Sequence, residues 1–339
     1  MAEPTLPKIC VVGAGAIGGF FGARLARGFA DVSVVARGAT LECLQRRGWV
    51  LEQQGQRQAT PVCAVADAGQ LGVQDVVLIA VKAYALIDIL PLVRPLIGPD
   101  TLVVPALNGV PWWFTQGAAA PLERSDPDGA ITAALPTRQV LGAVVYPACS
   151  SPEPGVTRHN SGSRVVFGEP GAAAGTPPST RLTAWVRLLK SAGFDAETSS
   201  DIRTEVWRKL LGNACFNPVS LLTGSATDLL IDDPDIYRLF GTMMGETLAV
   251  GAALGINPGI EAADRIALTR KLGNIKTSML QDAETGRSVE IDTILGAVIE
   301  LGRKHGVATP ALDVVYALAR MRARTFGLLK ESPWPLPRN

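Results

Sequence analysis

The 339 residues carry 32 Lys+Arg against 31 Asp+Glu, a formal net charge of +1, with 47% hydrophobic and 19% charged residues. That length suits two domains, and a chain so apolar and so nearly neutral is neither disordered nor a dedicated nucleic-acid binder. Two histidines and five cysteines without a C-x-x-C pair leave no zinc signature, G-x-x-x-x-G-K-[ST] and G-x-S-x-G are both absent, and no apolar stretch reaches the roughly 18 residues of a membrane span.

Residues 8–12 form the first predicted strand, and the chain then runs Gly13-Ala14-Gly15-Ala16-Ile17-Gly18, a G-x-G-x-x-G that opens helical spacing over residues 16–29. The context suits a dinucleotide site. Gly13 permits the tight turn, Gly15 removes a side chain from the path of a pyrophosphate, and Gly18 lets the helix sit close on the sheet, its N-terminus facing the anion. Residues 32–36 form the second strand, which ends in Ala36-Arg37-Gly38 with no carboxylate to hold a ribose 2′-hydroxyl. The Arg37 guanidinium suits a 2′-phosphate, so NADP(H) is favoured over NAD(H); an ordinary exposed arginine is the alternative.

Further strands are predicted over residues 76–81 and 102–107, with later ones over 141–148 and 164–167; the Gly/Ala/Pro-rich stretch 168–178 reads as a loop. Central runs that are apolar on both faces and alternate with helices indicate βαβ units and a mostly parallel, doubly wound sheet. Lys82 and Asn108-Gly109 follow two of these strands, at the carboxyl ends where such sheets bind ligands, although a solvated strand end and a plain turn would read the same way. Trp112-Trp113-Phe114 come next, either at the mouth of a pocket or packing the following helix.

From about residue 181 the 3.6-residue period takes over. Ile236, Leu239, Phe240, Met243, Thr247, Val250 and Leu254 form one stripe, and Ile291, Ile294, Leu295 and Val298 repeat its offsets. Lys209, Asn213 and Asn217 stand four apart on one face of an otherwise apolar helix beside Pro218, so they either meet solvent or are satisfied by a ligand. Ser278 and Glu290 lie among later helices, and Glu290 could face a lysine. The expected architecture is an N-terminal α/β Rossmann domain over residues 1–196, an all-α domain over 197–330, a cleft between them, and a tail over 331–339. The scattered cysteines, Cys215 among them, read as reduced apolar fillers, which makes the cytoplasm the expected location.

These features together resemble the ketopantoate reductase (2-dehydropantoate 2-reductase) family over residues 8–329. The W-R-K-L-x-x-N-x-x-x-N-P signature is matched in full from Trp207 to Pro218. The glycine turn, Arg37, the lysine of V-K-A-aromatic at Lys82, the N-G turn at Asn108, S-M-x-x-D at Ser278 to Asp282 and E-I-D at Glu290 to Asp292 follow in the family's order. The resemblance implies NADPH-dependent reduction of a small-molecule 2-keto acid to a 2-hydroxy acid, with ketopantoate to pantoate, in pantothenate biosynthesis, the leading reaction. It makes Lys209 the general acid with Glu290 steering it. Asn213, Asn217 and Ser278 become substrate ligands, and Lys82 and Asn108 lie at the nicotinamide ribose and the substrate. No metal, nucleic acid or membrane enters this reading, and an apolar helical domain of this kind allows a homodimer. The aromatic trio departs from the biosynthetic pattern and points to a bulkier keto acid, as in a D-2-hydroxyacid or opine-type dehydrogenase. A non-catalytic NADPH sensor is a third reading, against which the proton donor at Lys209 counts.

Overall fold

Burial on both faces decides how the β-branched runs of the first half pair. A computed structural model describes residues 6–116, 120–173 and 175–330. The chain divides into two units, one made of residues up to Leu107 together with Ile131–Ile202, the other of Asn108–Ala130 with Arg203 onward. The first unit contains β1 (Lys8–Val12), α1 (Ala16–Leu25), β2 (Asp31–Val35), α2 (Gly38–Arg47), β3 (Trp49–Gln53), β4 (Gln56–Thr60), β5 (Cys63–Val65), β6 (Val76–Ile79), α3 (Leu86–Val93) and β7 (Leu102–Pro105). After α4 (Ala130–Ala134), at the crossing between the units, come β8 (Gly142–Val145), β9 (Ala148–Ser150), β10 (Val156–Ser161), β11 (Arg164–Gly168), α5 (Thr180–Ser191) and β12 (Asp195–Thr198).

The central sheet has the order β5-β2-β1-β6-β7 and is parallel throughout, with Val11 in register with Val34 on one side and Leu78 on the other. This is the parallel, doubly wound arrangement that the apolar runs predict, and the strand order reverses between β1 and β6. Such a reversal is where sheets of this type bind ligands, outside the carboxyl ends of the strands. A second sheet, β4-β3-β10-β9, covers α1. Close approach there requires glycine: a methyl at Gly22 would lie 2.0 Å from the buried Trp49 ring, and one at Gly19 would lie 1.9 Å from Thr157 Oγ1. A third sheet, β12-β11-β8, is joined to the first by a bridge between Val103 and Val140.

Several elements differ from the sequence reading. The helix expected over residues 16–29 stops at Leu25, because Gly28 turns the chain at a φ of +97° into β2. The strand expected over 141–148 is two, β8 and β9, in different sheets; they part at Tyr146-Pro147, where proline has no N–H for a ladder. The hairpin of β3 and β4 turns on Gln54-Gly55 with positive φ at both, and its polar second strand gave no period-2 signal.

The second unit contains α6 (Ile202–Thr223, from Arg203), α7 (Thr227–Asp232), α8 (Pro234–Ala253), α9 (Ala262–Arg270) and α10 (Ser278–Glu284), then a π-helical turn, Asp292–Gly296, that runs into α11 (Ala297–Lys304), and finally α12 (Pro310–Thr325). The predicted stripe of α8 is buried at Phe240, Met243, Thr247 and Val250, with Phe240 4.3 Å from the Phe216 ring of α6. Asp233 caps α8 through the N–H groups of Asp235 and Ile236.

A single boundary near residue 196 does not describe this division. Residues 108–130 leave the first half of the sequence and join the helices, because their backbone is hydrogen-bonded there: Val110 N donates to Thr293 O at 2.8 Å, and the N–H groups of Glu123 and Arg124 donate to the Glu300 carboxylate at 2.9 and 3.0 Å. The expected tail, 331–339, lies outside the described residues. Among the described residues no helix is long and apolar enough to cross a membrane, and no cluster of His, Cys, Asp and Glu could hold a metal ion.

Candidate active site

In the first unit the turn after β1 is built by exclusion. Gly13, at a φ of +102°, lies so close to the end of β6 that a methyl there would meet Ala80 backbone atoms at 2.9 Å. A methyl at Gly18 would lie 1.9 Å from Gly13 O, so only glycine lets α1 start this close to the strand. Gly15 is different: among the described residues nothing lies within 4 Å of where its Cβ would be. It is the N-cap of the ten-residue α1, and no side chain caps that end. The N–H groups of Ala16, Ile17 and Gly18 open the helix there with the positive end of its dipole, beside Ala14 and open space. Exposed Arg37 follows β2 as the N-cap of α2, and half-buried Lys82 follows β6, where it caps a short turn by accepting the Ala85 N–H at 2.9 Å. Open space over Gly15, uncapped donors and an arginine after β2 fit the pyrophosphate and adenosine end of a dinucleotide.

In the second unit the polar stripe of α6 is not a solvated face. Lys209 and Asn213 are half-buried, while Asn217 is only 4% exposed and its Nδ2 has no hydrogen-bond partner among the described residues. Leaving such a donor unmade costs about 1–3 kcal/mol, which a ligand's oxygen would recover. The adjacent Pro218 has no N–H for the Ala214 carbonyl, which loosens the helix beside the two amides.

Lys209 Nζ donates to Asn108 Oδ1 at 2.8 Å. Asn108 reaches that position because the next residue, Gly109, takes a φ of +83° with its Cα against the π-helical turn; a methyl there would lie 2.5 Å from Thr293 O. The same turn begins just after Glu290, whose carbonyl accepts the Ile294 N–H at 3.1 Å and whose side chain is buried. Lys209 and Asn108 are thus brought into direct contact, Asn213 and Asn217 share the lysine's helix, and Glu290 is carried by the turn on which the Asn108-Gly109 segment rests. Ser278 is the exposed first residue of α10, and among the described residues it makes no hydrogen bond to any of these groups. The sequence did not single out Thr293, and named Asp292 only as the last residue of E-I-D; the glycine after Asn108 was the one local sign of close approach.

The aromatic trio does not line an opening. Trp112, Trp113 and Phe114 are all buried, Phe114 stacks on Trp207 of α6 at 5.6 Å and 24°, and the Arg203 guanidinium lies 5.0 Å from the Phe114 ring centre. Their bulk fills the core of the helical unit, which decides between the two alternatives in favour of packing over the mouth of a pocket. Cys215 is likewise core: burial pushes its thiol well above the usual range, with Arg265 opposing only in part.

Residues 9–171 match the family model described as ketopantoate reductase PanE/ApbA, and residues 201–323 match that of the ketopantoate reductase PanE/ApbA C terminal. The chain belongs to the ketopantoate reductase family. A 2-dehydropantoate 2-reductase of Mesorhizobium japonicum is 44% identical over 93% of this chain and 98% of its own length. A crystal structure from Ralstonia solanacearum MolK2, assigned as a ketopantoate reductase, superposes with a TM-score of 0.90 at 45% identity, over 96% of this chain and 100% of that one. D-mandelate dehydrogenase, solved with NADH and anilino(oxo)acetate, has a TM-score of 0.81 at 22% identity over 95% of this chain and all of its own, a likeness that shows the fold alone. As a ketopantoate reductase family member with this nucleotide-binding fold, the chain is an oxidoreductase that uses a nicotinamide cofactor.

Proposed function

We propose that the protein reduces 2-dehydropantoate (ketopantoate) to pantoate with NADPH, and that Lys209 delivers the proton. The observation that carries this reading is the Lys209–Asn108 hydrogen bond, with the buried Asn217 amide, unpartnered among the described residues, two turns farther along the lysine's helix: a cation and an amide donor on one face, suited to a small polar ligand. The M. japonicum relative is named for the same reaction.

The nicotinamide, when bound, supplies the hydride that converts the ketone carbon to a secondary alcohol. Everything else falls to the chain. The N–H groups of residues 14–18 would hold the pyrophosphate, Arg37 the 2′-phosphate that distinguishes NADPH from NADH, and Lys82 the ribose. Negative charge develops on the former carbonyl oxygen, and the Lys209 ammonium stabilises it and gives up its proton there. Asn108, which accepts one of the three ammonium hydrogens, aims the others. Glu290 balances the lysine's charge, and the amides of Asn213 and Asn217, with the hydroxyl of Ser278, orient the substrate's hydroxyl and carboxylate without adding charge.

The test is steady-state oxidation of NADPH by the purified protein with ketopantoate, run beside pyruvate, 2-ketoisovalerate and phenylpyruvate. A kcat/KM for ketopantoate of about 10⁴ M⁻¹s⁻¹ or more, well above the others, is expected. Preference for phenylpyruvate would favour an aromatic hydroxyacid dehydrogenase, a reading that the burial of Trp112, Trp113 and Phe114 has deprived of its sequence argument. Tight NADPH binding without turnover of any keto acid would favour a sensor.

A further inference from the structure

The segment that presents Asn108 is fastened to the helices near its start, at Gly109 and Val110, and again over residues 121–125. At its start, Gly109 rests on Thr293 and Val110 N donates to Thr293 O at 2.8 Å. Its last residue closes it on itself, Ser125 Oγ donating to Val110 O at 2.6 Å. At its far end, Arg124 Nη1 lies 3.3 Å from Asp292 Oδ1, one residue before Thr293 in the same π-helical turn. Asp292 also accepts from the Tyr316 hydroxyl and faces Arg320 at 3.6 Å. Glu300, one turn into α11, receives the backbone N–H groups of Glu123 and Arg124, and Lys304 Nζ donates to Pro121 O at 2.5 Å. π-helical turns break the regular ladder of a helix and concentrate at functional sites. This one faces Gly109 through Thr293 and Arg124 through Asp292, so one short turn sets both ends of the segment.

We infer that Asp292 and Arg124 are positioning residues: their ion pair holds residues 121–125 against the π-helical turn and, through the Ser125–Val110 hydrogen bond, keeps the Asn108 amide at hydrogen-bonding distance from Lys209. The inference rests on the reading of Lys209 as the proton donor. Asp292 is 38% exposed at its side chain and Arg124 24%. An exposed pair between two long side chains contributes little to stability. Here the carboxylate accepts from Arg124 and from the Tyr316 hydroxyl with the Arg320 guanidinium 3.6 Å away, and the backbone of Arg124 is pinned by Glu300, a geometry that holds a loop in register more than it holds a fold together.

The experiment compares Asp292→Asn and Arg124→Gln, each alone and in an Asn108→Ala background, in the full chain, by kcat, KM, NADPH affinity and thermal melting. Alone, each variant is expected to lower kcat about 10- to 100-fold, the cost of a misplacement of roughly 1 Å, with NADPH affinity unchanged. In the Asn108→Ala background neither is expected to lower kcat further, because the group they position is gone. A loss that persists in full in that background, or a lowered melting temperature with kcat intact, would overturn the inference. Should Asp292→Asn not fold, Arg124→Gln removes the other half of the same pair and decides the question by the same cycle. Lys209→Ala serves as the control for the underlying reading. Turnover surviving Lys209→Ala overturns the reaction assignment and the positioning role together. Turnover lost there but intact in both Asp292→Asn and Arg124→Gln overturns the positioning role alone.

Discussion

Lys209 Nζ and Asn108 Oδ1 are 2.8 Å apart although 101 positions separate the two residues. A neutral amide oxygen orients an ammonium without neutralising it, which is what a proton donor to a developing alkoxide requires. Replacing Lys209 with Ala is therefore expected to lower kcat by about 10²- to 10⁴-fold while NADPH still binds, measured by turnover and by cofactor fluorescence titration.

Gly109 enforces that contact sterically. A methyl at its φ of +83° would lie 2.5 Å from Thr293 O, so Gly109→Ala forces the segment off the π-helical turn. The expected cost is about 1–3 kcal/mol of stability from backbone strain, with kcat reduced beyond what the lower melting temperature explains. Unchanged melting and unchanged kcat would contradict the packing described here.

The glycine turn separates folding from binding. Gly15→Val places its side chain in open space, so the melting temperature is expected to hold while NADPH affinity falls; Gly18→Ala collides with Gly13 O at 1.9 Å and is expected to lower the melting temperature itself. Calorimetry on the two variants, with and without NADPH, distinguishes these effects.

Arg37 carries the cofactor preference in this reading. A charge-assisted hydrogen bond to a phosphate is worth about 1.5–3 kcal/mol, so Arg37→Ala is expected to reduce the NADPH-to-NADH ratio of kcat/KM roughly 10- to 100-fold, chiefly through the NADPH value. An unchanged ratio would place the 2′-phosphate elsewhere.

The buried thiols set an alkaline limit. Burial raises Cys10 from 9.0 to about 11, opposed in part by Ser33, and raises Cys149 from 9.0 to about 12, opposed in part by Arg24. The folded state keeps the thiols protonated where the unfolded chain would ionise them. Their contribution is full below about pH 9 and declines as pH rises through 11 and 12. Urea melts between pH 8 and 11 are expected to show stability declining above 9, and in the native protein exposed Cys63 is expected to react with a thiol reagent well before Cys10, Cys149 or Cys215.

The parallel sheet, the phosphate turn and the helical second half were legible in the amino-acid order, because each rests on local information. Runs apolar on both faces must be central strands, G-x-G-x-x-G between strand and helix has one steric use, and a 3.6-residue stripe has one buried face. The same order also determined the residue types of the site, since Lys209, Asn213 and Asn217 share a face through helix geometry alone. What only the tertiary structure decided depends on contacts between distant positions. By sequence the stripe on α6 suits solvent equally well; burial of Asn217 to 4% removes that alternative. Trp112, Trp113 and Phe114 are buried, Phe114 against Trp207, instead of lining an opening, a choice their own sequence cannot encode because aromatic bulk serves either purpose. The division of the chain was hidden for the same reason. Residues 108–130 carry no composition shift, and only their hydrogen bonds to Thr293, Asp292 and Glu300, more than 160 positions away, place Asn108 in the unit that holds Lys209.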